Sequence, residues 1–468
     1  MGRMRSFPRS NSGRSHLSDR LQFQLGVSFV LFLVLLAILW IAGGGSRADL
    51  IGQVLVRAAA WALLVIAILF APAPSWRSAI PVAALLFGAI AIAGLQLVPL
   101  PPGLWQMLPG RTVLVEAAAA SGQSQPWRAW SMVPGATLNA LFSLVVPLVV
   151  LVLVTGMRSG AQRCLPASLL GFAGLAMLIG LLQFSGATLN NPFVNDTPGE
   201  VSAIFANRNH FALLMAVGCS VAPGWAFMNR AQLRWRGPLA GGLVLMFLLA
   251  IVASGSRSGV MLGAVALILG LATIAQPARH LLRRKPRWVL PAILSGVAVL
   301  AIALVVISVL AGRAVAIDRI VTSDVGQDMR SRGLPTVIAM IRDYLPFGSG
   351  LGGFDTIFRL HEPFELLKPT YFNHAHNDWL EIVLDTGIPG LLLLVCGVLW
   401  WGTASIRAWR SDTLTPKIGS TIVLLVMVAS AFDYPARTPT IMAVLTLAAL
   451  WLAGVGVTSA LPRTEQHL

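Results

Sequence analysis

Long apolar stretches separated by short polar segments repeat along the whole chain. Each stretch has about 20 mainly apolar residues, the length that an α-helix needs to cross the hydrocarbon core of a bilayer. The pattern therefore predicts an all-α polytopic membrane protein with about 12 transmembrane helices. The stretches lie near 21–43, 54–74, 79–98, 137–157, 165–185, 209–228, 237–254, 258–275, 289–311, 386–404, 418–434 and 439–457.

Two longer gaps interrupt this pattern. One covers about 99–136 and begins "PLPPGLWQMLPGR", and the other covers about 312–385. Loops of this size on a membrane scaffold usually carry function, and the second is long enough to be partly helical. The expected order is a tail at 1–20, nine helices within 21–311, the large loop at 312–385, three helices within 386–457 and a tail at 458–468.

The composition agrees with a membrane protein. Of the 468 residues, 56% are hydrophobic and only 11% are charged, whereas soluble domains have roughly 25% charged residues. The three cysteines, Cys164, Cys219 and Cys396, have the spacing of neither a metal site nor a disulfide framework. We interpret them as small buried hydrophobic residues.

The net charge is +16, and the distribution of the Lys and Arg residues among the loops indicates the membrane topology. The two tails and alternate short loops contain 20 of the 34 Lys and Arg residues, with only three acidic residues. Short basic loops of membrane proteins face the cytoplasm. We therefore expect cytoplasmic termini, affinity for anionic lipid headgroups and no nucleic-acid partner, with both large loops on the opposite, periplasmic side.

Unusual polar residues collect in five segments that this topology brings to the periplasmic face. The convergence of distant segments at one depth predicts an outward-facing active site. The segments are "FANRNHFA" with Asn207, Arg208 and Asn209; "SGSRSG" with Arg257; "MRSRG" with Arg330 and Arg332; "HAHNDWLE" with His376, Asn377 and Asp378; and "FDYPAR" with Asp433 and Arg437.

These residues also have simpler interpretations. An arginine at a helix end often reaches lipid phosphate, and Asn207 or Asn209 could cap a helix. Arg57 lies inside the second stretch, where a pairing carboxylate is expected. The glycine-rich "LPFGSGLGGF" lacks the Lys-Ser/Thr end of a P-loop, so we interpret it as a tight turn. The chain has no spaced carboxylate cluster for a divalent metal, and we expect neither a metal nor another cofactor.

The segment "HNDWLEIVLDTGIPG" resembles a known family signature. His376-Asn377, nine residues and then Gly387 to Gly390 fit the H-[NSQ]-x9-G-x-x-G pattern of the O-antigen ligase and polymerase superfamily, which are bacterial inner-membrane glycosyltransferases. The other polar motifs follow in the usual order, so the similarity spans most of residues 95–450. The resemblance implies a GT-C-like transferase fold and an inverting, metal-independent reaction.

The resemblance also implies substrates and roles. The donor would be a glycan linked to undecaprenyl diphosphate, and the acceptor lipid A-core or a lipid-linked glycan. His376 would be the general base, and Arg257 and Arg330 would bind the diphosphate, because arginine stays charged and forms bidentate bonds to phosphate. A tryptophan common in relatives is missing after "MRSRG", which leaves Arg332 as an alternative to Arg330. Supporting residues would be Asn377, Asp378, Asp433, Asn207, Arg208 and Asn209.

Two classes of function remain open from the sequence. The first is the enzyme, as ligase, polysaccharide polymerase or protein O-oligosaccharyltransferase. The second is a transporter or flippase for lipid-linked sugar without catalysis. Transporters tend to place charged groups near the bilayer midplane, whereas the polar clusters here lie at the rim, and this favours the enzyme.

Overall fold

The computed structural model describes residues 26–189, 191–195, 199–282, 329–367 and 372–456, and a few isolated positions between 286 and 306. Several predictions lie outside these residues. They are the tails at 1–20 and 458–468, most of the predicted helix at 289–311, the start of the large loop and the side chain of Arg330.

Helices make up most of the described chain. In chain order they are α1 (Val27–Ala42), α2 (Ile51–Phe70), α3 (Ile80–Leu95), α4 (Pro102–Trp105), α5 (Thr112–Ala120), α6 (Pro134–Ser143), α7 (Val145–Thr155), α8 (Ser159–Gln162), α9 (Leu165–Phe184), α10 (Arg208–Phe227), α11 (Leu233–Ala253), α12 (Arg257–Thr273), α13 (Ala275–Leu282), α14 (Met329–Tyr344), α15 (Phe354–His361), α16 (Asp378–Arg410), α17 (Leu414–Ala429) and α18 (Pro439–Leu452). Short 3₁₀ turns lie at Arg230–Gln232, Phe364–Leu366 and Pro435–Arg437.

The chain is a multi-pass membrane protein. Six helical segments of the described residues are long and apolar enough to cross a bilayer, and a bent pair, α12 with α13, makes up to seven. Four further apolar helices, α1, α3, α17 and α18, are shorter. These segments lie at the predicted apolar stretches, while the total of 12 spans and the GT-C-like fold remain predictions.

Helix α10 lies at the centre of the bundle. It is buried along almost its whole length and packs against α11, α12 and α17. Small side chains permit this close packing, as is common between membrane helices. A Cβ on Gly259 of α12 would lie 2.4 Å from the Cβ of Ala212, so only glycine permits this approach. The N-terminal ends of α10 and α12 therefore lie side by side.

The predicted large loop contains α14 and α15 and has a small hydrophobic core of its own. That core also includes Leu384 of α16, which joins the loop to the bundle. Two-residue strands β1 (Pro99–Leu100) and β2 (Arg128–Ala129) pair antiparallel in the first loop, a small exception to the all-α prediction.

Buried polar side chains connect the two loops. Arg111 donates to the carbonyl oxygens of Trp130 and Gly348, at 2.8 and 3.0 Å. Gln96 donates to the Asp385 carbonyl oxygen at 2.8 Å and accepts from the Leu351 amide at 2.9 Å. These bonds join the first loop, the glycine-rich turn and α16. The segment is a tight turn, as the sequence predicted, with positive φ at three of its glycines.

Helix α16 begins eight positions before the predicted span at 386 and has a break within it. Gly387 has φ 61° and ψ −144°, a conformation that side chains with a Cβ rarely adopt. A Cβ there would lie 2.1 Å from the carbonyl oxygen of Pro346. The segment from Asp378 to Thr386 is thus a separate short helix ahead of the longer apolar one.

Candidate active site

His376 and Asp433 form a hydrogen-bonded pair at the end of the bundle where α10, α12 and α16 begin. The Nδ1 atom of His376 donates to Oδ1 of Asp433 at 3.1 Å. The side chain of Asp433 is 4% exposed and that of His376 is 19% exposed. Since Nδ1 donates to the carboxylate, the other ring nitrogen, Nε2, has the lone pair that can accept a proton.

The backbone of His376 is in an unusual conformation. Its φ is +52°, in the left-handed region that non-glycine residues seldom occupy. Such strain persists only where surrounding contacts impose it, and it is frequent at functional sites. The neighbouring rings of Tyr434 and Phe372 lie 5.0 and 5.9 Å from the imidazole, measured between centroids.

Two asparagines at the start of α10 bind the same carboxylate. The Nδ2 atoms of Asn207 and Asn209 donate to Oδ2 of Asp433 at 2.8 and 2.6 Å. Asn207 also caps α10, because its Oδ1 accepts from the Asn209 amide. Asn207 therefore both caps α10 and contacts the carboxylate of the candidate site.

A serine extends the contacts of this group to α12. Ser256 Oγ donates to Asn209 Oδ1 at 2.7 Å and accepts from the Gly259 amide as the N-cap of α12. The next residue, Arg257, begins that helix and is exposed. Among the described residues, no carboxylate forms an ion pair with Arg257.

Arg208 differs from Arg257 in having an ionic partner. Its Nη1 atom lies 3.4 Å from Oε1 of Glu200, and both side chains are about one third exposed. A Cβ added to Gly255 would lie 3.9 Å from the same nitrogen. The Arg208 guanidinium therefore lies close to the turn that precedes Arg257.

Asn377 and Asp378, two of the predicted supporting residues, form hydrogen bonds to partners other than the His376 imidazole. Asn377 is the N-cap of α16, accepting from the Leu380 amide and donating to the Ala431 carbonyl oxygen. Asp378 is buried and accepts from Ser430 Oγ at 3.0 Å. Both side chains therefore form hydrogen bonds with residues of the connection between α17 and α18.

Arg437 is a largely buried cation, which the sequence placed at the periplasmic face without assigning it a role in the site. Its guanidinium lies 3.3 Å from Asp378, 3.1 Å from Glu381 and 3.3 Å from Asp385. These four residues are named the Arg437 cluster. Burial alone would lower the pKa of Arg437, but the charges of the three carboxylates outweigh burial and raise its pKa above the ordinary value.

The two candidate arginines of the large loop lie at the start of α14. Arg332 donates from Nη2 to the carbonyl oxygen of Glu365 at 3.1 Å, which assigns it a contact within the loop. The Arg330 side chain is outside the described residues, so its role in diphosphate binding stays a prediction.

Arg57 is paired, but not with a carboxylate as predicted. Its guanidinium donates to the amide oxygens of Asn139 and, at 3.0 Å, Gln53. Neutral amides accept from both Nη atoms of the guanidinium in a half-buried position inside α2.

The helices and this site define a multi-pass membrane protein with a His–carboxylate pair at one end of its bundle. Residues 241–395 match the family model described as O-antigen ligase. This match confirms the resemblance to the O-antigen ligase and polymerase superfamily that the motifs predicted. A comparison with curated proteins found no match.

The match supports glycosyl transfer of the ligase or polymerase type on lipid-linked glycans, and thus an enzyme of lipopolysaccharide biosynthesis. The matched range contains Arg257 and His376 but ends before Asp433 and begins after Asn209. Asp433, which accepts from the His376 imidazole, and its two asparagine partners therefore lie outside the matched range.

Proposed function

We propose that this protein is a metal-independent inverting glycosyltransferase. It would transfer a glycan from undecaprenyl diphosphate to a hydroxyl of lipid A-core or of a second lipid-linked glycan. The observation that carries the proposal is the His376–Asp433 pair, in which Nδ1 is bonded to a buried carboxylate and Nε2 is left as the base. We place this reaction at the periplasmic face of the bacterial inner membrane, with both termini in the cytoplasm.

The reaction is a single displacement at the anomeric carbon. The acceptor oxygen forms a bond to this carbon while the bond from the carbon to the diphosphate oxygen breaks, and the electron pair leaves with the diphosphate. The proton of the acceptor hydroxyl goes to Nε2 of His376. Asp433 stabilises the imidazolium that forms, as the carboxylate does in a Ser-His-Asp triad.

The leaving diphosphate requires positive charge next to the membrane. Arg257 is exposed beside the Ser256–Asn209–Asp433 contacts and can form charge-assisted hydrogen bonds to phosphate. Arg208 lies nearby, with Glu200 as its partner when no phosphate is present. Arg330 is proposed as a further ligand on the basis of the motif.

The direct test of this function is transfer in vesicles that contain the purified full-length protein. Undecaprenyl-diphosphate-linked glycan, lipid A-core as one acceptor and a second lipid-linked glycan as the other are supplied in the presence of EDTA. We expect a new glycosidic bond and one undecaprenyl diphosphate released per bond, and the acceptor that reacts distinguishes ligase from polymerase. Movement of the glycan lipid across the bilayer with no new bond would instead establish a transporter.

Replacement of Arg257 by alanine tests the diphosphate contact. A charge-assisted hydrogen bond contributes about 1.5–3 kcal/mol, so we expect kcat/KM for the donor to fall roughly tenfold to a hundredfold. Arg257→Lys should recover part of this loss, because it keeps the charge but not the bidentate geometry. The matched control is Arg359→Ala, which removes an exposed arginine paired with Asp355 in the large loop. Equal kcat/KM in Arg257→Ala and wild type would remove Arg257 from the site.

A further inference from the structure

The Arg437 cluster is buried next to the proposed base and has no part in the reaction described above. Arg437 belongs to the 3₁₀ turn that follows Asp433 and Tyr434, whereas its three carboxylates lie on the first segment of α16. The side chain of Arg437 is 16% exposed, and those of Glu381 and Asp385 are fully buried. The cluster therefore joins the segment that carries Asp433 to the helix that follows His376.

Glu381 links the cluster to the two residues that precede His376. Its Oε2 accepts from the backbone amide of Ala375 at 2.7 Å. Its Oε1 accepts from Nδ1 of His374 at 2.9 Å and lies 3.1 Å from the Arg437 guanidinium. All three donors converge on one carboxylate with no exposed surface, so the orientation of that carboxylate determines where residues 374 and 375 lie.

The ring of His374 also contacts the surroundings of the base. Its centroid lies 4.3 Å from that of Tyr434, and the Tyr434 ring lies 5.0 Å from the imidazole of His376. The His374–Glu381 and His376–Asp433 pairs thus contact the same tyrosine. Movement of the first pair would change the packing of the second.

We propose that Arg437, acting through Glu381, holds the left-handed backbone turn that directs His376 towards Asp433. Arg437 is thereby a positioning residue for the base, and this inference rests on the proposed function. The contacts run from the guanidinium to Glu381, from Glu381 to the Ala375 amide and His374, and from there to the adjacent φ of +52° at His376. Without this carboxylate, nothing in those contacts would keep residues 374 and 375 in place against the strain.

Three substitutions test the inference in the full-length protein in vesicles. For Glu381→Gln we expect kcat to fall roughly tenfold to a hundredfold, since displacement of a reacting group by about 1 Å costs up to 10²-fold. The amide of glutamine has one acceptor oxygen in place of two and cannot bind all three donors. Arg437→Met should lower kcat similarly, and Arg437→Lys should restore most of it. In each case the donor KM should stay within about twofold of wild type, because the diphosphate ligands are unchanged.

The double variant Arg437→Met with Glu381→Gln separates a shared pathway from two independent effects. If both residues act through the same turn, the kcat of the double variant should be no lower than that of the slower single variant. Multiplied losses would overturn the proposal, as would a wild-type kcat in Glu381→Gln. If Arg437→Met does not insert into the membrane, the kcat values of Glu381→Gln and Arg437→Lys test the proposal. An Arg437→Lys protein as slow as His376→Ala would also contradict the proposal.

Arg111→Lys is the matched structural control. Arg111 is another buried arginine of the loops, but it donates to backbone carbonyl oxygens and does not contact residues 374–376. We expect this variant to unfold at a lower temperature in detergent while kcat of the folded protein is unchanged. A His376→Ala protein measured in parallel keeps the two proposals apart. If it is inactive while Glu381→Gln is fully active, only the positioning role is wrong, and if it is active, the proposed base itself is wrong.

Discussion

The His376→Ala protein should insert and bind the donor normally but transfer glycan about 10²- to 10⁴-fold more slowly than wild type, which is the typical contribution of a general base. The loss should lie in kcat, because in the proposed reaction the imidazole takes the proton of the acceptor hydroxyl and does not bind the diphosphate. The measurement is the rate of undecaprenyl diphosphate release in vesicles. In cells without another copy of the protein, the same variant should leave the transferred glycan absent from its acceptor.

His361→Ala is a suitable control for this variant. His361 is also a partly buried histidine of the large loop, but its Nδ1 pairs with the Ile357 carbonyl oxygen, and its Nε2 lies 3.7 Å from Asp343. We expect wild-type transfer from this protein. Wild-type rates from His376→Ala would eliminate the imidazole as the base, whatever the behaviour of the arginines.

Asp433→Asn should reduce kcat nearly as far as the loss of the imidazole. The carboxylate accepts from His376 Nδ1, from both asparagines and from the Tyr434 amide. An amide in its place directs N–H groups at some of these donors, which favours the wrong tautomer or orientation of the imidazole. The equivalent change in the Ser-His-Asp triad costs about 10⁴-fold in kcat, so we expect a loss of roughly 10²- to 10⁴-fold here.

The decisive measurement for Asp433→Asn is whether the substitution changes kcat or the KM for the donor. A role in orienting the base lowers kcat, whereas a role in binding the donor raises KM. Asp355→Asn, an exposed change in α15, serves as the control for loss of a carboxylate in the same region. A rise in donor KM with wild-type kcat would assign Asp433 to substrate binding and separate it from the imidazole.

The helices and the polar segments at their ends could be predicted from the sequence, because each depends on a local sequence pattern. Apolar stretches of membrane length identify helices, and motifs such as "FANRNHFA" and "SGSRSG" place polar groups at helix ends. The structure brings Asn207, Asn209 and Ser256 into one hydrogen-bonded group with Asp433. The assignment of base and phosphate ligands remains a prediction for the experiments above.

The hydrogen-bond and ion-pair partners of individual side chains could not be predicted from local sequence patterns. Asn377 and Asp378 adjoin His376 in sequence, yet Asn377 caps α16 and Asp378 pairs with Ser430 and Arg437. The Arg437 cluster had one readable signal, which is the spacing of Asp378, Glu381 and Asp385 along one helix face. Their common partner comes from a turn more than 50 positions later, and only the folded chain brings the two together.

The break at Gly387 gives a physical meaning to the spacing in the signature. The nine positions between Asn377 and Gly387 form the short helix from 378 to 386, whose length is about 13 Å at 1.5 Å per residue. Adding or removing one residue there would rotate the acidic face by about 100° relative to Arg437 and alter the height of His376 above the apolar helix. The length of this interval therefore fixes both where the three carboxylates meet Arg437 and, in the proposed function, how far the base lies from the lipid that anchors the donor.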